Sequence, residues 1–356
     1  MKISKRGINS CLLTAQVLFF VCLAAYLLST IVAENETITD ARNYYYFYNL
    51  FLADDLPTFL ARLTAETGKL EPAIYLVVFT VFGSAVSDIQ SFAFACAFSV
   101  LFLLIVLVRV SAGRVEFTAP QLFWISIFSI IIYLLWYPSY SSVLWVWRSH
   151  LAFTLVFLIF LINRSPWTIT LLPVAFLLHY SGLGLFLVVF VFDFLMRRIV
   201  GVSRGVKFLV AFSIGGATSL LVGYLKRAIV SGDGDWSSSV SAGIYVYIYV
   251  VLFTLCMLPL YNQMIARHGL SSRHIIILDC FFSVALFFIG LSLTSSTSHQ
   301  DLMRIMQPVF IVLPICFLML WSRSFLIGRL FLLTILTPGI LMGLKSISTY
   351  LGGGAV

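Results

Sequence analysis

The stretch that decides the topology of this chain is LEPAIYLVVFTVFG, from Leu70 to Gly83. It opens with a charged residue and a proline, continues as an apolar run, and ends early. A transmembrane helix needs roughly 17–25 predominantly apolar residues, so the stretch is short for a membrane span. If it crosses a membrane, every later loop changes sides. The question can be decided only from the distribution of charge over the rest of the sequence.

The composition indicates a polytopic membrane protein. The 356 residues are 61% hydrophobic and 10% charged, and the mean hydropathy is +1.05, whereas soluble domains carry about 25% charged residues. No polar stretch is long enough for a separate soluble domain, so we expect one integral membrane domain over 1–356. The net charge of +8 is attributed to basic cytoplasmic loops rather than to nucleic-acid binding.

Eleven apolar segments are predicted to span the membrane, in an all-α fold. The N-terminal sequence MKISKR is followed by an apolar run longer than the ~7–15 residues of a signal-peptide core, which predicts a retained first helix. The segments between 148 and 179 are short and are expected to be tilted or packed inside the bundle. The predicted spans are 10–32, 90–108, 120–138, 148–162, 166–179, 182–196, 207–225, 243–261, 275–294, 305–321 and 326–344.

The basic residues favour a topology in which 71–86 does not cross. Only then do MKISKR and the basic segment 197–207 lie on the same, cytoplasmic side, and the cytoplasmic loops then carry most of the 22 Lys and Arg residues. We therefore expect a cytoplasmic N-terminus, an external C-terminus and a half-buried helix along the outer face. Pro72 suits the first turn of that helix, and Glu71 suits its positive end.

The external loops follow from this topology. The first is large and covers 33–89, whereas 226–242 and 295–304 are short. Most acidic residues fall on these loops, and Asp193 and Asp279 alone fall within spans, towards cytoplasmic ends. Proton- or ion-coupled transporters usually place ionisable groups near the middle of the membrane. The distribution therefore counts against transport and places the chemistry at the outer face.

Two external motifs combine a cation with aromatic residues. WVWRSHLAF places Arg148 at the outer mouth of a span, where an interfacial aromatic belt with an arginine on lipid headgroups is the alternative interpretation. FLLHYSGLG places His179 and Tyr180 between two helices. The histidine is either a helix-end residue with its hydrogen bonds satisfied or a site residue that exchanges a proton near neutral pH.

Two further external motifs carry charge. SSTSHQDLMRIMQP places Arg304 about one turn before the start of a late span, with an ion pair to Asp301 as the alternative. DARNYYYFYN clusters Asp40, Arg42 and Tyr44, and an interfacial aromatic collar would explain most of its tyrosines.

These residues suit the chemistry of a diphosphate. The planar guanidinium of arginine matches phosphate oxygens, and two arginines can stabilise the charge that develops on a departing diphosphate. A carboxylate or a histidine can accept a proton from an attacking hydroxyl. SGDGDWS (231–237) has two acids, but it reads as a solvated loop, and the sequence has no Cys/His cluster. We therefore expect a mechanism without a metal or cofactor.

The order of these motifs resembles the EpsG/Wzy group of bacterial polysaccharide polymerases. The likeness runs over roughly 10–320, and its most telling parts are the Glu71-Pro72 pair and an R-x-x-x-A … H-Y-S combination. In this sequence that combination begins at Arg148 and ends at Ser181.

The resemblance implies a metal-independent glycosyltransferase of the GT-C class in the bacterial inner membrane. Such enzymes join oligosaccharide repeat units carried on undecaprenyl diphosphate at the periplasmic face, with undecaprenyl diphosphate as leaving group. The large first periplasmic loop would contain membrane-parallel helices. The implied partners are the lipid-linked oligosaccharides and the bilayer. A chain-length regulator is a further candidate partner, and no nucleic acid is expected.

The resemblance also assigns roles to the candidate residues. Arg148 and Arg304 would grip the diphosphate, with Arg42 nearby, and Tyr180 and Tyr44 would position sugar or phosphate. His179 would bind the diphosphate or act as the base, and Glu71 or Asp40 would be the alternative base.

Three other functions remain open from the sequence. An O-antigen ligase-like transferase would be expected to have a larger late periplasmic loop. A lipid-linked oligosaccharide flippase or other transporter would be expected to have polar residues along a central path and repeat symmetry. A purely structural membrane subunit is the third.

Overall fold

A computed structural model of the chain is all-α. It describes residues 5–35, 41–113, 117–139, 146–162, 170–198, 202–229, 240–268, 272–293 and 299–351, and these ranges contain no β-strand. The α-helices in them are α1 Lys5–Glu34, α2 Ala41–Ala53, α3 Leu56–Thr67, α4 Ala73–Phe82, α5 Ile89–Gly113, α6 Ala119–Leu135, α7 Trp147–Ile162, α8 Leu172–Leu178, α9 Ser181–Arg198, α10 Arg204–Ile229, α11 Val240–His268, α12 Ser272–Leu291, α13 His299–Ile305, α14 Gln307–Arg323 and α15 Leu326–Leu351.

The lengths of these helices are those of a membrane protein. Within the described ranges, five helices are long and apolar enough to cross a bilayer: α1, α5, α10, α11 and α15. Further apolar helices of 10–17 residues lie between them. Every predicted span except 166–179 lies within a few residues of one helix. The all-α membrane class is therefore confirmed, while the number of spans stays a prediction.

The predicted span 166–179 contains only a short helix in its described part. Seven residues of α8 rise about 10 Å, against a hydrocarbon core of about 30 Å; 163–169 lie outside the described residues. The His179 ring is nevertheless 6.4 Å from that of Phe153, in the second turn of α7. The chain therefore returns, between Ile162 and His179, to the end at which α7 begins.

The opening stretch forms a helix that is too short to cross a membrane by itself. Residues 71–86 contain α4 and a single 3-10 turn, Gly83–Ala85. Ten helical residues rise about 15 Å, roughly half of an apolar core. The sequence had suggested that Pro72 lies in the first turn of this helix. In the structure Pro72 directly precedes the helix, and α4 has no side-chain cap.

Local sequence signals explain where the short helices begin and end. Asp55 caps α3, because its side chain accepts a hydrogen bond of 2.9 Å from the backbone N–H of Thr58. Hydrogen bonding to the Thr58 side chain, and secondarily to its backbone N–H, lowers the pKa of the Asp55 carboxyl. Gly68 ends α3 with a φ of +67°, a conformation that glycine adopts without steric cost. Gly83 ends α4 with a φ of +52° in the same way.

Aromatic side chains pack the short helices together. The ring centroids of Phe59 and Tyr75 lie 5.6 Å apart and join α3 to α4. The Tyr48 ring on α2 lies 5.2 Å from Phe92 on α5, and Phe92 lies 6.2 Å from Trp147 on α7. Aromatic contacts at these distances add stability beyond the area they bury. The aromatic cluster thus positions α2, α3 and α4 against the first turn of α7.

The chain divides into two compact units. The first comprises 1–186 and 342–356, and the second comprises 187–341. In the first, α1 packs on α5 and α6, and α5 packs on α7. In the second, α10 packs closely on α12. The two helices approach so closely at Gly215 that an added Cβ would lie 2.0 Å from the carbonyl oxygen of Phe287. Small residues allow such close approach of membrane helices.

Candidate functional site

The centre of the candidate site is an ion pair between Glu71, just before α4, and Arg148 on α7. Arg148 Nη1 lies 2.8 Å from Glu71 Oε2, and the side chains are only 15% and 2% exposed. The sequence had placed Glu71 at the positive end of α4, and the structure adds a guanidinium from a distant part of the chain that balances its charge. Burying either charge alone would be costly, so the pair holds the segment before α4 to α7.

Tyr44 fixes the orientation of the Arg148 guanidinium. Arg148 Nε donates a hydrogen bond of 3.0 Å to the Tyr44 hydroxyl, and Arg148 Cζ lies 4.8 Å from the centre of the Tyr44 ring. A guanidinium carries five N–H donors. Tyr44 accepts from Nε and Glu71 contacts Nη1. Because the guanidinium is planar, these two contacts also fix the directions of its other N–H groups.

His179 follows α8 directly, and its backbone conformation is extended. Its Nδ1 accepts a hydrogen bond of 3.2 Å from the backbone N–H of Ser181, and the Ser181 hydroxyl also lies within hydrogen-bonding distance of this nitrogen. Because a backbone N–H can only donate, Nδ1 must be the unprotonated nitrogen. The neutral imidazole then carries its proton on Nε2 and presents a donor there.

Tyr180 connects His179 to Glu71 and to Lys69. The Tyr180 backbone N–H donates to Glu71 Oε1 at 3.2 Å, whereas His179 Nδ1 stands 3.9 Å from the same oxygen, too far for a hydrogen bond. The Tyr180 ring stacks on His179 at 4.8 Å and lies 5.8 Å from Lys69 Nζ. Tyr180 is 53% exposed. It therefore forms the open edge of the cluster.

Close packing of three helices holds His179 at this position. A Cβ added at Gly182 would lie 3.0 Å from the carbonyl oxygen of Ala175 and 3.5 Å from the Cβ of Ala152. Gly182 thus lets the start of α9 approach both α8 and α7. Since Ala152 is one helical turn after Arg148, this contact sets the distance between Arg148 and His179.

The structure brings together five of the residues that the sequence singled out. They are Glu71, Arg148, His179, Tyr180 and Tyr44. From here on we call this set the Arg148 cluster.

The other predicted site residues are not in the Arg148 cluster. Arg42 lies on α2 with an exposed side chain. Asp40 lies outside the described residues, as do Asp233 and Asp235. Arg304 lies on α13 in the second unit, and its side chain is exposed. The predicted ion pair between Arg304 and Asp301 involves a side chain that is not described.

Sequence reasoning missed Lys69 and Tyr75. Lys69 stands two residues before Glu71 in a polar stretch, where a lysine does not stand out. Tyr75 follows Glu71 by one helical turn and is 1% exposed. Burial raises the pKa of the Tyr75 hydroxyl, and the nearby charge of Arg148 offsets part of this effect. Nothing in the local sequence distinguishes Tyr75 from the other loop tyrosines.

Trp147 adds a donor next to Arg148. It is 2% exposed, and its Nε1 has no hydrogen-bond partner among the described residues. Most buried N–H groups have a partner, so one without a partner calls for an explanation. Its ring lies 5.9 Å from that of Tyr44, which places this N–H at the border of the Arg148 cluster.

The two acidic residues that the sequence placed within predicted spans have partners in the second unit. Asp193 pairs with Arg197 at 2.8 Å. Asp279 accepts a hydrogen bond of 2.7 Å from the Tyr261 hydroxyl and lies 3.3 Å from Arg204 Nε. Among the described side chains, no three His, Cys, Asp or Glu residues converge in a way that could hold a metal ion.

The Arg148 cluster has the features of an anion-binding site. It offers guanidinium N–H groups and, by the tautomer argument, an imidazole N–H, while Lys69 adds a positive charge at its edge. Glu71 balances one positive charge and is itself engaged by Arg148 and by the Tyr180 backbone N–H. Compared with known proteins, the chain matches no family model, no curated protein and no solved structure.

Proposed function

We propose that the chain is an O-antigen polymerase of the Wzy type in the bacterial inner membrane. In this proposal it crosses the membrane eleven times in a GT-C-like architecture. The N-terminus is cytoplasmic, and the Arg148 cluster faces the periplasm. Helices α2, α3 and α4 lie along the outer face within the loop 33–89. The substrates are oligosaccharide repeat units linked to undecaprenyl diphosphate.

The observation that carries the proposal is the way in which Arg148 is held. Its guanidinium is fixed by Glu71 at 2.8 Å and by Tyr44 at 3.0 Å, yet 15% of the side chain stays exposed. An arginine with this restraint can direct N–H donors at phosphate oxygens without reorganising. A partly exposed, oriented guanidinium in an apolar protein suits a lipid-linked diphosphate.

The reaction breaks the bond between the anomeric carbon of the growing chain and its diphosphate oxygen. A hydroxyl oxygen of the incoming unit forms the new bond, and undecaprenyl diphosphate leaves with the electron pair. Donors from Arg148 and from His179 Nε2 stabilise the charge on the leaving group. Arg304 remains a second candidate for this role.

The structure supports a division of roles within the Arg148 cluster. Glu71 acts as a positioning residue, because its carboxylate orients both Arg148 and the turn that carries Tyr180. His179 acts as a donor to the diphosphate in this arrangement. The sequence offered His179, Glu71 and Asp40 as candidate bases. With His179 as a donor and Glu71 paired with Arg148, this proposal assigns the proton from the attacking hydroxyl to Asp40. Tyr180, which is 53% exposed, is the ring available to contact the sugar next to the diphosphate.

The function is tested by the lipopolysaccharide pattern of the native host. The gene is deleted and restored with wild type, Arg148→Ala or the matched control Arg62→Ala. Arg62 is 52% exposed and lies 3.4 Å from Asp54. The control therefore also removes a paired arginine, but one that lies outside the Arg148 cluster. All variants are compared at equal protein level in the membrane.

The proposal predicts that the deletion leaves core bearing a single repeat unit. Wild type and Arg62→Ala restore the ladder of long chains, and Arg148→Ala does not. Loss of every repeat unit from the surface would instead indicate a flippase or a ligase. A full ladder with Arg148→Ala would show that the Arg148 cluster is not the site.

A further inference from the structure

The second unit contains a cavity of about 800 Å³ between α11, α14 and α15. Its lining is apolar except for Gln263, Arg323 and Ser324. A volume of this size is within the range of small-molecule and lipid sites, which run from about 300 to 1,000 Å³.

The polar residues of the cavity lie at the ends of helices. Arg323 is the last residue of α14, Ser324 follows it, and Gln263 lies in the final two turns of α11. Leu255 lies eight residues before Gln263, about 12 Å deeper along the helix. Since α11 and α15 are both long and apolar enough to cross a membrane, their ends mark a membrane surface. The cavity is thus an open groove with its polar residues at one end, which we call the mouth, and apolar residues along the rest, where Leu255 is 50% exposed.

The charge at the mouth is positive. Arg323 lines the cavity, and no carboxylate does. Arg329 stands in the first turn of α15, where its Nε donates to the carbonyl oxygen of Trp321 at 3.1 Å. The first turn of a helix also carries partial positive charge, and Ile327 and Gly328 of that turn line the cavity. An anionic group is therefore the favoured occupant of the mouth.

The surface around the mouth is suited to lipid. Phe325, Leu326 and Ile327 are 62%, 72% and 82% exposed. Three consecutive exposed apolar residues beside an arginine are typical of the boundary between headgroups and acyl chains. In the topology predicted from the sequence this is the cytoplasmic surface, where basic pockets between helices bind anionic lipid headgroups.

We propose that this cavity binds an anionic, two-chain phospholipid of the surrounding bilayer. The phosphate lies at Arg323, and an acyl chain extends past Leu260 towards Leu255. This inference does not depend on the proposed function, because it concerns the second unit and a lipid that carries no sugar.

The first test measures binding of two lipids by native mass spectrometry of the full-length, detergent-purified protein. The probes are phosphatidylglycerol and phosphatidylcholine with identical acyl chains. One arginine at a lipid surface contributes about 1 kcal/mol, so phosphatidylglycerol should bind about fivefold more tightly. Arg323→Gln should abolish this preference. Arg198→Gln is the matched control, since Arg198 is exposed and lies outside the cavity lining.

A second variant tests the apolar part of the cavity. A Cβ added at Gly328 would lie 3.1 Å from Ser324 Cβ and 3.7 Å from Leu260 Cδ2, so the larger side chain of Gly328→Leu would fill the groove between α11 and α15. Binding of both lipids should then fall by about tenfold, which corresponds to about 1.4 kcal/mol.

The third measurement uses the wild-type protein alone and so does not depend on a variant that folds. Phosphatidylglycerol with a photoreactive acyl chain should label peptides that contain 255–264 and 323–331. The proposal is overturned if the label falls elsewhere, or if both lipids bind with equal affinity. It is also overturned if those peptides cross-link to a second copy of the chain.

Discussion

The carboxylate of Glu71 lies 2.8 Å from the guanidinium of Arg148, and 98% of the Glu71 side chain is buried. Glu71 lies in the segment just before α4 and Arg148 in the first turn of α7, and neither has another charged partner at that distance among the described residues. The ion pair therefore links the short helices of the first loop to α7 at the point where the proposed chemistry takes place. Its strength and its purpose can be separated by mutation.

The first prediction concerns the coupling between these two residues. Glu71→Gln and Arg148→Met should each destabilise the protein by about 3–5 kcal/mol, because each leaves a buried charge without its partner. The double variant should regain most of that stability and still form no long chains. Thermal unfolding of the detergent-purified protein measures the coupling, and membranes from the complemented host report the activity.

The pair of Arg62 and Asp54, at 3.4 Å, is the control for this cycle, because Arg62 is 52% exposed whereas Arg148 is 15% exposed. Its coupling should be smaller than that of Glu71 and Arg148, because water screens the exposed guanidinium. Equal coupling in the two pairs would show that the Glu71–Arg148 contact is an ordinary surface ion pair.

The second prediction separates two roles for His179. If Nε2–H donates to the diphosphate, His179→Gln should keep part of the chain-forming activity, because the glutamine amide can place an N–H near the same position. His179→Ala should keep none. The measurement is chain formation across pH by purified protein. Equal loss in both variants, with a wild-type rate that follows deprotonation of a single group, would identify His179 as the base.

The third prediction concerns Tyr44. Tyr44→Phe removes the hydroxyl that accepts from Arg148 Nε at 3.0 Å but keeps the ring beneath the guanidinium. A hydrogen bond to a charged group is worth about 1.5–3 kcal/mol, so the rate of chain formation should fall by at least about tenfold. Tyr46→Phe is the control, because Tyr46 is 48% exposed. A rate unchanged by Tyr44→Phe would contradict the orienting role.

The fourth prediction tests the packing that sets the position of His179. Gly182→Val should abolish activity, because its Cβ would lie 3.0 Å from a backbone oxygen of α8 and its methyl groups would force α8 and α9 apart. Gly184→Val is the matched control, since a Cβ there meets nothing within 4 Å. A normal ladder with Gly182→Val would show that this close approach is dispensable.

The sequence predicted the helices and most members of the Arg148 cluster for the same reason. In an apolar chain, the lengths of apolar runs define the helices, and the few polar residues within them stand out. Arg148, His179 and Glu71 were visible in this way. The pairing of Glu71 with Arg148 was not, because it depends on tertiary packing that brings the segment before α4 to the first turn of α7. The short helices of that region are held together by aromatic contacts such as that of Phe59 on α3 with Tyr75 on α4, which follow no local pattern.

Lys69 and the short α8 show the other limits of sequence reasoning. Lys69 was passed over because a lysine near the end of a loop helix is usually a solvated residue, and its contact with Tyr180 depends on the turn after α8. The apolar run 166–179 predicted a span, but run length alone does not reveal that the helix begins at Leu172 and ends before His179, after only seven residues.

The measurement that tests the central claim most directly is chain formation by the purified protein in lipid nanodiscs. The substrate is the undecaprenyl-diphosphate-linked repeat unit extracted from the deletion strain, and reactions are run with and without a metal chelator. With wild type and with Arg62→Ala, we predict a ladder of lipid-linked chains and release of undecaprenyl diphosphate, both with and without the chelator. With Arg148→Ala, we predict neither product. No ladder from correctly folded wild-type protein, or an equal ladder from Arg148→Ala, would contradict it.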